Sequence, residues 1–292
     1  MERLLRVRPL DSPEAILVAS AMDLGSIVHE SLDEFHRARP DIAPEQQWSA
    51  ADHEQLRSIA RQVAARYTAR GLTGHPLLWE RALLRVLAQL DQLLDDDDWV
   101  RGETGRRQVR SELPFGMQGE PPVELALPSG AVVRLRGSAD RVDMADDTIT
   151  VVDYKTGSAR SFEDLSEENP TANGTKLQLP VYAKAARAAL GRPTTPVTAE
   201  YWFVGENKRI SVPLTDQVEE AFMRTVDVIV SGIGQGLFPH RPPREDGFVY
   251  IACRYCDPDG LGAAEHRQRW ARKRNDSRLA DFLAVVEPEE NA

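Results

Sequence analysis

The sequence predicts an α/β chain: a mixed central sheet flanked by helices, with a helical insertion ahead of the sheet. Three observations carry this. Stretches of helical spacing dominate the first hundred residues, β-rich segments follow between about 107 and 155 and again near 197–213, and helical patterns return after residue 216. Strands first preceded and then followed by helices suit a sheet with helices packed on it. With 292 residues, 41% of them apolar, the chain has material for a sizeable core, read here as one elaborated domain.

A short extended segment opens the chain. The first helix is expected from about Gly25 to Ala38, with an apolar stripe of Leu24, Val28, Leu32 and Phe35. A Pro-containing link at Pro40–Pro44 separates it from two amphipathic stretches. These cover roughly 50–70 and 76–95, with Leu56, Ile59 and Val63 on one and Leu83, Val86, Leu87 and Leu90 on the other. Strands are expected near 107–115, 122–127, 131–144, 148–155 and 197–204, with a short one near 208–213. Residues 158–175, with Asn169-Pro170 and Asn173-Gly174, read as a mobile loop. A helix through Tyr182–Leu190 follows it, then one over Asp216–Gly232 and another spanning Ala263–Val286.

The most informative stretch is Gly137-Ser-Ala-Asp140-Arg-Val-Asp143, a short link, and Thr150-Val-Val-Asp153-Tyr154-Lys155-Thr-Gly157. Ala145-Asp146-Asp147 supplies turn chemistry, so the two segments form a hairpin. A turn centred near Asp146 brings Asp140 almost opposite Asp153. Alternation then points Asp153 and Lys155 to one face and Tyr154 to the other. Two carboxylates are what a hard cation such as Mg2+ or Mn2+ accepts, with water and phosphate completing its shell. A neighbouring ammonium can orient an attacking water and offset charge growing on a phosphorane-like transition state. The bland alternative is a surface hairpin with solvated charges. Both carboxylates, however, interrupt otherwise apolar strands.

Gly-x-x-Asp-Arg-x-Asp followed by Val-Val-Asp-Tyr-Lys-Thr-Gly resembles the core of the PD-(D/E)XK nuclease superfamily, specifically its RecB-like and AddB-like nuclease domains. Gly25-Ser-Ile-Val-His29-Glu30 resembles the Gly-x-x-x-His helix of that family, and Gln178-Leu-Pro-Val-Tyr182 its Gln-x-x-x-Tyr helix. The likeness runs from about residue 20 to 257. It implies a restriction-endonuclease-like fold, with about 40–100 as the helical insertion, 101–257 as the nuclease core and 258–292 as a C-terminal helix and acidic tail. It also implies metal binding by His29, Asp140, Asp153 and the Tyr154 backbone carbonyl, catalysis by Asp140, Asp153 and Lys155, and a DNA path lined by Gln178 and Tyr182. Glu112 resembles a glutamate that often precedes the hairpin; a solvated strand-end carboxylate is the other reading. The expected reaction is hydrolysis of DNA phosphodiesters with Mg2+ or Mn2+, in recombination and repair, on single strands or DNA ends and often beside a helicase. No Gly-x-x-x-x-Gly-Lys-Ser/Thr loop is present, so unwinding would need another chain. A nuclease-derived module that binds DNA or a partner without cutting is the alternative, and an RNA- or nucleotide-directed phosphodiesterase a third reading.

Cys253-Arg-Tyr-Cys256 resembles the start of the cysteine cluster that holds an iron–sulfur centre in AddB-like nucleases. Two cysteines cannot supply the four thiolates of a [4Fe-4S] cluster, so none is expected. The pair could hold zinc with His240 or His266, or persist as reduced thiols. The formal charge of −10 opposes a generic nucleic-acid coating role. Arginines nevertheless cluster at Arg101, Arg106, Arg107 and Arg110, and at Arg267, Arg269, Arg272, Lys273 and Arg274, each group either a solvated face or a phosphate track. The acidity lies largely in Asp95–Asp98 and in the tail at Glu287, Glu289 and Glu290, away from substrate. With no apolar run of membrane length and no leader pattern, a cytoplasmic location without membrane contact is expected.

Overall fold

The computed structural model describes residues 17–39, 42–239, 241–242 and 264–288. Cys253, Cys256, His240, Glu289, Glu290 and the side chain of His266 lie outside the described residues, so the zinc expectation falls outside them, as does most of the stretch expected to open the chain in an extended form.

Among the described residues, three helices come first. Helix α1 spans Ala21–Ala38, four residues longer at its start than expected, because the Ser20 hydroxyl accepts the Asp23 amide and caps it there. Helix α2, Ala50–Ala69, opens on a reciprocal capping box between Ser49 and Asp52. Helix α3, Pro76–Thr104, runs nine residues past the expected end and stops at Gly105, whose φ of 68° closes it in the left-handed conformation. The acidic run Asp95–Asp98 thus belongs to a helix. It does not end one, because Asp97 pairs with Arg101 one turn later.

Strands β1 (Arg107–Phe115), β4 (Gly137–Ala145), β5 (Thr148–Lys155), β6 (Val197–Phe203) and β7 (Lys208–Pro213) form one sheet in the order β1-β4-β5-β6-β7. All neighbours are antiparallel except β5 and β6, which are parallel and joined through helix α4, Gln178–Ala189. The expected strand 131–144 is in fact two. Strand β3 (Val132–Leu135) pairs with β2 (Val123–Ala126) in a separate ladder, and the chain turns at Arg136 before β4. That corner is tight: a Cβ on Gly116, at φ 65°, would meet the Arg136 Cβ at 2.7 Å.

Helix α5 (Asp216–Gly234) follows the sheet. The single C-terminal helix expected over 263–286 is broken. Helix α6 covers Ala264–Lys273, a one-turn 3-10 helix covers Ser277–Leu279, and α7 covers Ala280–Val286; the Asp276 side chain caps the restart by accepting the Arg278 amide. Residues 158–175 are not a free loop either. They contain a 3-10 turn at Ala159–Phe162, and Ala159, Leu165 and Ala172 are buried in the core.

The sheet separates two apolar cores. On one face Ile149, Val151, Ala199 and Phe203 pack with α4, α5 and the β2–β3 ladder. On the other, Val152, Tyr154 and Trp202 meet Ile27, Val28, Phe35, Leu56 and Leu90 from α1–α3. Alternate residues of β5 and β6 therefore serve opposite layers, as parallel strands covered on both faces must. Each fully buried large side chain contributes about 1.5–3 kcal/mol.

Candidate active site at the end of the hairpin

The β4–β5 register fixes the site. Arg141 faces Val152 in the last pair of the ladder, so the same register carries Asp140 to Asp153 at its open end. Asp140 holds two donors: the Tyr154 amide donates to Oδ2 at 2.7 Å, and His29 Nδ1 lies 3.0 Å from Oδ1. His29 comes from α1, in the layer on the opposite side of the sheet from α4. Its ring also stands edge-on to Tyr154, with centroids 6.5 Å apart. Burial disfavours charge on this imidazole, but the Asp140 hydrogen bond and the charges of Asp140 and Asp153 outweigh that, and its pKa is raised.

Asp153 is the buried member of the pair, its side chain 5% exposed. Burial and the charge of Asp140 push its pKa up to about 6, against the opposing pull of Lys155. Lys155 Nζ forms an ion pair with Asp153 Oδ2. The lysine lies 4.9 Å from the centroid of the Tyr201 ring and 3.4 Å from Gln178 Oε1. Gln178 and Tyr182, one turn apart on α4, are linked by an amide-to-hydroxyl bond of 3.1 Å, and the Tyr201 hydroxyl donates to Gln178 Oε1 at 3.2 Å. Burial and the charge of Asp153 raise the phenol pKa of both tyrosines, so both remain neutral donors.

Asp140, Asp153, Lys155, His29, Gln178 and Tyr182 are thus brought to one end of the sheet, at the carboxyl ends of the parallel pair, where α/β sheets hold ligands. Glu112 is close by, but it is not at a strand end. It lies within β1, where the register carries it to Asp140, with φ at 50° and its carboxylate 3.5 Å from Arg37. Burial and the charge of Asp33 raise its pKa. Tyr201 was not foreseen. The Asp153–Tyr201 pairing puts it on the lysine's face, and only the strand order, which the sequence does not display, could have marked it.

Among the described residues, no three His, Cys, Asp or Glu side chains form a ready metal cage. The donor set nevertheless suits a hard divalent ion: two carboxylates and an imidazole at one sheet end, and two like charges that a cation would reconcile.

Behind the site lies a buried ionic network. Arg141, beside Asp140, bonds Asp143 at 2.6 Å and Asp97 at 2.8 Å. Asp97 also accepts from Arg101 and from the Trp48 indole, and Arg106 joins Asp143 to Glu200. Arg101 and Arg106 are therefore neither a solvated face nor a phosphate track. Arg107 and Arg110 are exposed. In the second cluster Arg274 binds Glu287, which is buried and also holds Arg241, so Glu287 is an anchor and no part of a free acidic tail. No described helix is long and apolar enough to cross a membrane.

Comparison with known proteins agrees with this architecture. The family model of the PD-(D/E)XK nuclease superfamily matches residues 1–259. A Symbiobacterium thermophilum protein, named as a subunit of an ATP-dependent helicase/deoxyribonuclease, is 34% identical over 201 residues, covering 63% of this chain and 16% of that protein. Proteins of the same name from Clostridium perfringens and Geobacillus kaustophilus are 30% and 27% identical over 175 and 197 residues, covering 57% and 63% of this chain and 14% and 16% of theirs. The chain thus matches about a sixth of the length of these relatives. Its mixed five-stranded sheet, helical layers and match over most of its length lead to one conclusion: this chain belongs to the PD-(D/E)XK nuclease superfamily.

Proposed function

We propose that the chain is a metal-dependent deoxyribonuclease that hydrolyses DNA phosphodiesters. The observation that carries this reading is the convergence of Asp140, Asp153 and Lys155 at one sheet end, with His29 on Asp140 and Gln178 on Lys155. His29, Asp140, Asp153 and the Tyr154 carbonyl would hold Mg2+ or Mn2+. Such an ion supplies charge stabilisation and lowers the pKa of bound water.

The chain's own groups do the rest. Lys155, steadied by Gln178 and by the face of Tyr201, orients the attacking water and offsets charge growing on the phosphate oxygens. Tyr182 and Gln178, neutral donors beside the carboxylates, position the strand without adding repulsion. The Tyr154 amide fixes one oxygen of Asp140, leaving the other to exchange between His29 and a ligand.

The names of the relatives support work on DNA beside a helicase. An exonuclease in recombination or repair, acting on single strands or ends in partnership with a separate helicase chain, is the finer reading we favour. The test is incubation of the protein with end-labelled single- and double-stranded DNA under Mg2+, Mn2+ or chelator, beside Lys155→Ala. Metal-dependent cleavage lost in the variant supports the proposal. DNA bound but never cut, with or without a helicase partner, transfers the reading to a silent binding module.

A further inference from the structure

A groove of about 340 Å3 adjoins the site where β3 and β4 part at Arg136. That volume lies at the lower end of the range for small-molecule sites, about 300–1,000 Å3. Its walls are apolar, with Phe115, Leu135, Val181 and Phe222 among them, and Gln178 and Tyr182 line it as well. These two belong equally to the Lys155 cluster, so the groove opens one side chain away from the proposed catalytic lysine. The Phe115 and Tyr182 rings meet edge to face at 6.0 Å. Among the described residues, exposed Arg136 is the sole charge lining the groove, and no carboxylate does so. In a chain with a net charge of −10, a carboxylate-free groove with a cation beside it complements a polyanion.

We propose that this groove holds an unpaired nucleobase of the DNA strand whose phosphate lies at Lys155, a proposal that rests on the nuclease reading above. A nucleobase has two flat apolar faces and a polar edge, and it is tethered to the phosphate the site would hold. Aromatic and aliphatic walls accept the faces of any base, which gives affinity with little sequence preference. The Gln178 amide and Tyr182 hydroxyl meet the edge, and Arg136 meets a neighbouring phosphate. A base within a duplex must first be unpaired and unstacked to enter, so the groove favours single strands.

The test compares two oligonucleotides of equal length and charge, oligo(dT) and a strand of abasic sites, binding to the Lys155→Ala chain. The expected result is a loss of affinity for the abasic strand of about tenfold or more. Filling the groove by Val133→Trp, on a half-buried position of β3, should weaken oligo(dT) binding and leave abasic binding unchanged; an unaltered circular dichroism spectrum verifies its fold. Equal affinity of the Lys155→Ala chain for the two strands overturns the groove proposal and assigns this face to something other than a base. If the wild-type chain still cuts oligo(dT) in that case, the nuclease reading survives. Failure of the wild-type chain to bind or cut either strand overturns both.

Discussion

The Tyr154 amide donates to Asp140 Oδ2 across the open end of the β4–β5 ladder, at 2.7 Å. A backbone donor cannot be removed by changing a side chain, so one oxygen of Asp140 is fixed by the strand itself. The exchangeable contact is His29 at 3.0 Å. Asp140→Asn replaces an acceptor-only carboxylate with a group carrying donors of its own. It should abolish metal-dependent cleavage, whereas His29→Ala should weaken metal affinity with less effect at saturating metal. Cleavage rates across a Mn2+ titration separate the two.

Lys155→Met keeps the length and loses the charge. Cleavage should fall at least about a hundredfold, as when a positioned donor to a developing oxyanion is removed. Single-turnover rates with retained DNA binding are the measurement.

Asp153 links the site to pH. Its folded pKa of about 6 stands above the ordinary 3.8, so between those values the folded chain binds the extra proton. Stability of the metal-free protein from this group is therefore complete below pH 3.8 and lost as pH rises through 6, by at most about 3 kcal/mol. If Asp153 holds the metal as proposed, the ion displaces this proton, and its affinity should weaken below pH 6. Asp153→Asn should flatten this part of the stability profile in chelator, read by urea denaturation at pH 4.5 and 7.

His36 gives the opposite slope. It is fully buried in α1, its Nε2 3.4 Å from the Tyr154 hydroxyl, and burial with the nearby Arg141 charge lowers its pKa to about 3. The stability of keeping it neutral is present above pH 6.5 and lost as pH falls towards 3, at most about 5 kcal/mol. His36→Phe should remove this acid sensitivity, measured by the same denaturation series against the parent.

Arg141→Met removes the cation that Asp97 and Asp143 share and leaves each with one remaining cationic partner, Arg101 and Arg106. A loss of about 3–5 kcal/mol in unfolding free energy is expected, as for other broken buried pairs. Replacing Asp97 and Arg141 together by apolar residues should cost less than the two single changes summed. Urea unfolding of all three variants measures the coupling.

The hairpin was legible because strand alternation is strict: Asp153 and Lys155 had to share a face, and a turn at Asp146, where φ is indeed positive, sets the Asp140–Asp153 register. Helix α4 was legible from the run Tyr182–Leu190, while its first turn at Gln178 was suggested only by the resemblance of Gln178-Leu-Pro-Val-Tyr182 to the family's Gln-x-x-x-Tyr helix. Tyr201 was hidden because parallel pairing joins residues nearly fifty positions apart with no local trace. Arg101, Arg106 and Asp97 were misread because clustered charge resembles a solvated face; only packing reveals that they neutralise one another in the interior. The break at Arg136 was missed for a similar reason: Val132–Leu135 and Gly137–Ala145 both have strand composition, and the corner between them is set by the close approach of Gly116.

His29 and the pair Gln178–Tyr182 arrive from helices on opposite faces of the sheet, and α4 is the crossover between the parallel strands β5 and β6. Helices α1–α3 are local in sequence, so helical signal should return early in refolding. The site needs contacts that bridge residue 29 with 140 and 153 with 201, and such distant closures are slow. Recovery of the site, read by metal-dependent cleavage where the proposed function holds, should therefore trail recovery of helicity, making that end of the sheet a late reporter of the chain's assembly.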